Sequence, residues 1–279
     1  MSTSRGASLV GSPGFFIEWS RRSAPLETFI AENTQGSLVN EPAYWGIAGC
    51  PISHSLTPRL FSIVGSHLGL VGPEQVFIEA DGIDQFESQA ANLEGELWLS
   101  CTAPLKHSPQ ERLGVSGPEG VNAINQLKRS GGKWSGASTD GVGFVAACRH
   151  TGTEPRDSVL RMRGGGSAAR AIAAAWASEG GRIIPVEGRR RLVSGPWGDA
   201  VIGDGEADIA IDLDAAPGGG ESMDLEANKE VSISYGPGAG SDEFAVIMVA
   251  AQHLMAWEGL FAPERAADLP PLQTVLDAL

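Results

Sequence analysis

Lys106 and Asp140 are the residues best suited to proton chemistry in this chain. Lys106 lies just beyond a strand-like run at Cys101 to Pro104, and Asp140 sits in a Thr-Asp-Gly-Val-Gly turn. If the two meet in a cleft, the carboxylate holds the ammonium protonated and oriented. The ammonium can then give a proton or a hydrogen bond to a carbonyl oxygen on which negative charge develops. The alternative is two unrelated surface charges.

A second chemical feature is the run Gly164, Gly165, Gly166 between a strand-like and a helix-like segment. Bare glycines there let backbone N–H groups and a helix N-terminus approach a pyrophosphate. Ala169 takes the third position of a G-x-G-x-x-G/A pattern, and Glu187 lies near the spacing of a ribose-binding carboxylate. Arg189, Arg190 and Arg191 follow at once and suit a 2′-phosphate, so Glu187 and the arginines point to different dinucleotides. Gly-rich turns in folds that bind no nucleotide, and a solvated basic turn, are the plain alternatives.

Other combinations are weaker. His54 beside Ser55, and Cys101 near His107, could pair a nucleophile with a base, but neither has a hydrolase context and both read as structural. The five histidines and three cysteines show no metal-ligand spacing.

The whole chain narrows the classes of partner. In 279 residues, Asp and Glu outnumber Lys and Arg by 34 to 20, and the net charge of −14 disfavours nucleic acid and anionic membrane surfaces. The longest apolar stretch, Phe244 to Trp257, is interrupted by Gln252 and His253 and is short of a membrane span. Arg5 is followed by no apolar run of signal-peptide length, and the cysteines are odd in number and scattered, so a reducing cytoplasm is expected. Length and a 42% apolar content allow two modest domains.

Elements that could position the chemistry follow from periodicity. Residues 1–40 read as a polar extension with a weak apolar cluster at Phe15, Phe16, Ile17 and Trp19. Tyr44 to Ala48 reads as a buried strand and Pro58 to Leu70 as a helix. Gln75 to Ala80 and Leu97 to Cys101 read as further strands, with alternation continuing to about Phe144. Ser158 to Met162, the glycines, a helix over Ser167 to Ser178, and a strand over Arg182 to Val186 make a β-turn-α-β unit of nucleotide-binding form. Strands at Ala207 to Leu213 and Val231 to Ser234 precede a long helix from Asp242 to about Trp257. Two α/β domains with a cleft between them are expected.

Taken together, from about Tyr44 to Trp257, these segments resemble the shikimate dehydrogenase family. GCPISHSLTP, Gly49 to Pro58, is similar to the family's G-x-P-I-x-H-S-x-S-P loop, with Thr57 in place of the second serine. CTAPLK, Cys101 to Lys106, is similar to N-V-T-x-P-x-K; AINQL, Ala123 to Leu127, to A-V-N-T-L; and WSGASTDGVG, Trp134 to Gly143, to W-x-G-x-N-T-D-G-x-G. GGGSAARA, Gly164 to Ala171, resembles G-A-G-G-A-A-R-A, and ADIAIDLDAAP resembles A-D-I-V-I-N-A-T-P. Tyr235 matches the tyrosine of D-x-x-Y and Gln252 the glutamine of M-L-V-x-Q.

The resemblance implies an α/β chain with an N-terminal substrate domain over 41–138 and a Rossmann-like dinucleotide domain over 139–240. A C-terminal helical segment, 241–279, would return to the first domain. It implies Lys106 and Asp140 as catalytic residues and Ser55, Thr57, Thr102, Asn125, Tyr235 and Gln252 as substrate-binding ones. Gly164, Gly165, Gly166, Ser167, Ala168, Glu187 and Arg189 would hold the cofactor, NADP with NAD as the alternative. The implied reaction is reduction of 3-dehydroshikimate to shikimate by a cytoplasmic monomer or homodimer. The alternatives are a quinate/shikimate dehydrogenase using NAD, or a non-catalytic shikimate-binding regulatory homologue with a degenerate nucleotide domain. Departures cluster on the cofactor side: Ser138 for asparagine, Ser232 for an acid and Ala245 for a glycine. The family's N-R-T segment falls on Glu187, Gly188 and Arg189 or one residue later, the stretch before Ala207 is short by about a helix, and Pro185 is awkward in a central strand.

Overall fold

The computed structural model describes residues 41–214, 223–236 and 238–279. The extension expected over 1–40, with its Phe15 to Trp19 cluster, and Ala215 to Pro217 of the ADIAIDLDAAP segment lie outside the described residues.

Strand β1 (Tyr44–Gly49) is a nearly unbroken apolar run because it lies inside a sheet covered on both faces. It is flanked in parallel by β2 (Glu74–Glu79) and β3 (Leu97–Cys101), and β3 continues antiparallel to β4 (Gln126–Ser130) and β5 (Lys133–Ala137). The order is β2-β1-β3-β4-β5. Helix α1 (Thr57–His67), with Pro58 in its first turn, turns Leu60, Phe61 and Val64 inward against Trp45 and Trp98. On the opposite face α2 (Ile83–Ala91) buries Phe86 and Ala90 against Ile78, Leu97 and Leu99. A four-residue helix α3 (Pro109–Arg112) follows a 3₁₀ turn at Leu105–His107.

The second sheet is wholly parallel, in the order β7-β6-β8-β9, from β6 (Val159–Arg163), β7 (Arg182–Val186), β8 (Ile209–Asp212) and β9 (Glu230–Val231). Helix α5 (Ser167–Ser178) crosses from β6 to β7 as expected and buries Ala169, Ile172, Ala173 and Trp176. Pro185 is not in a central strand. β7 is an edge strand, beyond which Val201 alone forms a bridge to Ile183. Ile183 turns its carbonyl outward to the N–H of Ile202. Pro185, two residues on, directs its missing donor to the same open side, where no ladder bond is lost. Residues 187–208 contain a 3₁₀ turn at Gly198–Ala200 and no α-helix, in line with the short connection in the sequence.

Two elements differ from expectation. Alternation does not run to Phe144, because Asp140 opens helix α4 (Asp140–His150) rather than sitting in a turn. Two glycines in its first turn hide the helix from a propensity reading, and packing requires both. A methyl group on Gly141 would run into the carbonyl oxygen of Ala171 in α5, and one on Gly143 into the backbone and Cβ of Gln252. The strand expected over Val231 to Ser234 is only two residues long, since Ile233 to Tyr235 leave the sheet to line a cavity.

Helix α6 (Phe244–Ala256) packs on α4 and α1 and continues through a π-helical turn, Trp257–Phe261, a 3₁₀ segment, Pro263–Asp268, and α7 (Leu272–Asp277). Trp257 meets Trp98 edge-on at 5.2 Å, Phe261 stacks on Trp98 at 5.3 Å, and Lys128 donates to the carbonyls of Leu260 and Phe261. The stretch Phe244–Phe261 is apolar enough to cross a membrane by length and composition, but 78% of it is buried inside the protein. It is core.

Gly141→Ala tests the close approach of α4 and α5. It is expected to lower unfolding free energy by about 1–3 kcal/mol, because the blocking atom is backbone and α5 must shift; urea denaturation measures the loss.

Candidate active site

Parallel strands offer binding sites beyond their carboxyl ends, and the candidate site lies there. The loops after β1 and β3 are pressed together: Cys50 donates to the carbonyl of Ala103, Thr102 to that of Ala48, and a side chain at Gly49 (φ 138°) would strike Ala103. This brings the GCPISHSLTP and CTAPLK segments side by side.

All eight expected catalytic and substrate-contacting residues line one cavity of about 150 Å3: Ser55, Thr57, Thr102, Lys106, Asn125, Asp140, Tyr235 and Gln252. Lys106 Nζ is 2.6 Å from Asp140 Oδ2, with side-chain exposures of 17% and 3%. The carboxylate is therefore shielded while the ammonium still reaches the cavity. Asn125 donates to Asp140 Oδ1 at 3.0 Å, so each carboxylate oxygen has a donor. Asn125 is itself fixed, since its Oδ1 accepts the backbone N–H of Thr139 at 2.6 Å.

The hydroxyls at the other end have a defined polarity. Ser55 Oγ accepts the N–H of Thr57, and the Tyr235 hydroxyl accepts the N–H of Leu56, both at 3.2 Å. Each oxygen thus keeps its own hydrogen to donate into the cavity. An oxygen-rich anion would find converging donors there. The lining also has an apolar part, with Ile47, Ile233, Ala245, Met248 and Val249.

On the nucleotide side, Gly164 has φ 109°, Gly166 begins α5 with open space where a Cβ would stand, and Ala168, from the first turn of α5, reaches the cavity. Arg170 holds the carbonyls of Gly165, Val121 and Asn122, and Arg190 lies close enough to it to lower its pKa further, burial being the larger cause. Open glycine, helix N-terminus and neighbouring guanidinium groups fit the phosphates of a dinucleotide. Glu187 is exposed at the end of β7. Two features narrow the cradle. Arg191 and Leu192 lie over Gly165, where a methyl would strike the carbonyl of Arg191, and the carboxylate of Asp214 accepts the N–H of Arg189 beside Gly164.

Sequence reasoning passes over Ser100, Gln126, Thr139 and His253, a buried polar set in which Ser100 reaches the cavity and the others do not. Ser100 donates to Gln126 at 2.7 Å, Gln126 donates to Thr139 at 3.2 Å, and His253 contacts Ser100 and Thr57. Polar residues inside the otherwise apolar β3 and α6 are the available signal for Ser100 and His253, whereas the largely polar β4 gives none for Gln126. The nucleophile pairings considered for the thiols and hydroxyls do not form. Burial pushes the Cys101 thiol up to about 12, against a smaller downward pull from Lys106, and His54 packs edge-on against Tyr235. Among the described residues no group of three or more potential ligands could hold a metal ion.

Similarity to known proteins bears on this geometry. No family model matches the chain. Over 148 residues it is 28% identical to a shikimate dehydrogenase (NADP(+)) of Bacillus cereus and 32% identical to one of Methanopyrus kandleri, covering 52% of this chain. The chain spans about half the length of these curated relatives, 53% and 51%. The shikimate 5-dehydrogenase of Thermus thermophilus, solved in complex with NADP(H) and shikimate, superposes over 84% of this chain and 97% of its own. The TM-score is 0.67 and the identity 18%. Shikimate dehydrogenase 1 of Peptoclostridium difficile superposes over 84% of this chain and 95% of its own, with a TM-score of 0.60 and 17% identity. Over about half its length the chain is similar in sequence to shikimate dehydrogenases. It has the mixed α/β fold with parallel sheets and a Rossmann-like unit seen in shikimate dehydrogenase structures.

Thiol chemistry checks the site's burial. All three cysteines are free, but only Cys50 is exposed, and burial raises Cys148 as well as Cys101 to about 12. With those values above the usual thiol range, almost no thiolate forms at pH 8. A disulfide reagent is expected to titrate one thiol in the native protein and three after denaturation.

Proposed function

We propose that this chain is a shikimate dehydrogenase-like oxidoreductase that reduces 3-dehydroshikimate to shikimate with NADP(H). The observation that carries the reading is the shielded Lys106–Asp140 pair, facing a cavity whose far end presents hydroxyl donors. Residues 41–138 with 241–279 would form the substrate side, and 139–240 the nucleotide side.

In this reading the substrate carboxylate lies against Ser55, Thr57 and Tyr235, which donate to it. Thr102, Asn125 and Gln252 take the ring hydroxyls. Lys106 meets the ketone oxygen and gives it a proton as charge develops there, while Asp140 keeps the amine charged and aimed. Ser167, Ala168 and the glycines 164–166 would receive the pyrophosphate. Arg189 and Arg190 would meet a 2′-phosphate, and Glu187 would lie near the adenosine ribose. When bound, the dinucleotide supplies the hydride. The apolar wall of Met248 and Val249 excludes water from the transfer.

A non-catalytic shikimate-binding role is the second reading, favoured by one observation: the chain's own backbone at Arg191 and Leu192 lies over Gly165, two residues after Arg189 is tied to Asp214. A quinate/shikimate dehydrogenase using NAD is the third, favoured by Glu187 at the end of β7.

Following absorbance at 340 nm with shikimate or quinate and either dinucleotide separates the readings. Turnover with shikimate and NADP+ is expected. Calorimetry that finds shikimate binding but no dinucleotide binding would establish the second reading instead. Lys106→Ala is expected to lower kcat by about 10²–10⁴-fold, with shikimate binding retained in calorimetry.

A further inference from the structure

His253 is wholly buried, one residue past the cavity-lining Gln252, with its ring edge-on to Phe61 at 5.1 Å. Its Nε2 lies 3.2 Å from Ser100 Oγ and 3.2 Å from Thr57 Oγ1, while its Nδ1 is buried without a hydrogen-bond partner. Ser100 has one hydrogen and donates it to Gln126 Oε1 at 2.7 Å. The contact between Ser100 and the ring therefore requires a hydrogen on Nε2. The orphan at Nδ1 agrees, because buried unpaired N–H groups are rarer than under-used acceptors. Burial lowers the ring's pKa to about 3, so the imidazole is neutral and carries a single hydrogen. With that hydrogen on Nε2, the nitrogen has no lone pair to offer Thr57. The Thr57 hydroxyl must direct its own hydrogen elsewhere, and Thr57 faces the cavity.

We infer that His253 is a positioning residue: as an Nε2–H donor it commits Thr57 to donating into the cavity, toward an anionic oxygen of the bound acid. The inference rests on the proposed function, and adds to it a residue that touches neither substrate nor cofactor. The same hydrogen fixes a second branch. Ser100, receiving it, donates to Gln126; the Gln126 amide is thereby turned to give its N–H to Thr139 Oγ1 at 3.2 Å. The Thr139 hydroxyl in turn donates to Asn125 Oδ1 at 3.3 Å, and the Asn125 amide caps Asp140. One buried ring thus orders donors at the carboxylate end and behind the catalytic pair.

Ring-nitrogen NMR of the wild-type protein reads the tautomer directly. A neutral Nε2–H ring, unchanged from pH 8 to pH 5, is expected; an Nδ1–H tautomer or an imidazolium would overturn the inference. Kinetics read its consequence. His253→Leu is expected to raise KM for shikimate about tenfold or more, the loss of a hydrogen bond to a charged group, with KM for the dinucleotide unchanged. His253→Gln keeps an N–H donor at the same reach and is expected to recover most of that loss. In a Thr57→Val background, His253→Leu is expected to add less than about twofold, since coupled residues do not add. Full additivity, or failure of glutamine to rescue, would refute the role. A wild-type protein that neither binds nor oxidises shikimate removes the proposed function itself, whereas an active wild type with additive variants removes only the role of His253.

Discussion

The structure depends on a carboxylate almost wholly withdrawn from water at the edge of a cavity. Asp140 is 2% exposed, and a charge buried so deeply costs on the order of several kcal/mol unless it is paired and hydrogen-bonded. Lys106 and Asn125 meet that demand, one oxygen each. Those partners fix the ends of other elements: Lys106 comes from the 3₁₀ turn beyond β3, Asn125 from the entry to β4, and Asp140 from the first residue of α4. An ion pair with one member still open to the cavity holds charge ready without spending it on the surrounding protein.

Helix α4 carries that carboxylate because it is the joint between the two sheets. Its glycines allow α5 and α6 to lie against it at backbone distance. Close packing of this kind transmits position, since interiors compress little. The aromatic group of Trp45, Phe61, Trp98, Trp257 and Phe261 then ties the end of α6 back to the first sheet. Gln252 is brought to the cavity and His253 is buried behind it as a result.

The second sheet is built to a different standard. It stands beside the glycine turn, the helix start and the guanidinium groups, but among the described residues it has four strands, and its edge carries a proline and a one-residue bridge. After β7 the chain continues as an irregular segment tied to Asp214, with a single 3₁₀ turn. The Lys106–Asp140 pair, by contrast, is held by hydrogen bonds from three elements.

Much of this protein was legible in its sequence. Apolar runs at Tyr44–Gly49 and Leu97–Cys101, and the helical stripe of Ser167–Ser178, declare their structures because burial on both faces and 3.6-residue periodicity leave a direct imprint. Lys106 and Asp140 stood out by chemistry and by motif. The sequence could not show that they touch, that the Gly141–Gly143 stretch is helical, or that Pro185 sits on an edge, because those depend on contacts between segments far apart in the chain. The roles of Ser100, Gln126 and His253 depend on tertiary structure in the same way: a buried polar side chain acquires its meaning from the single hydrogen its neighbour can give, and only the fold decides who that neighbour is.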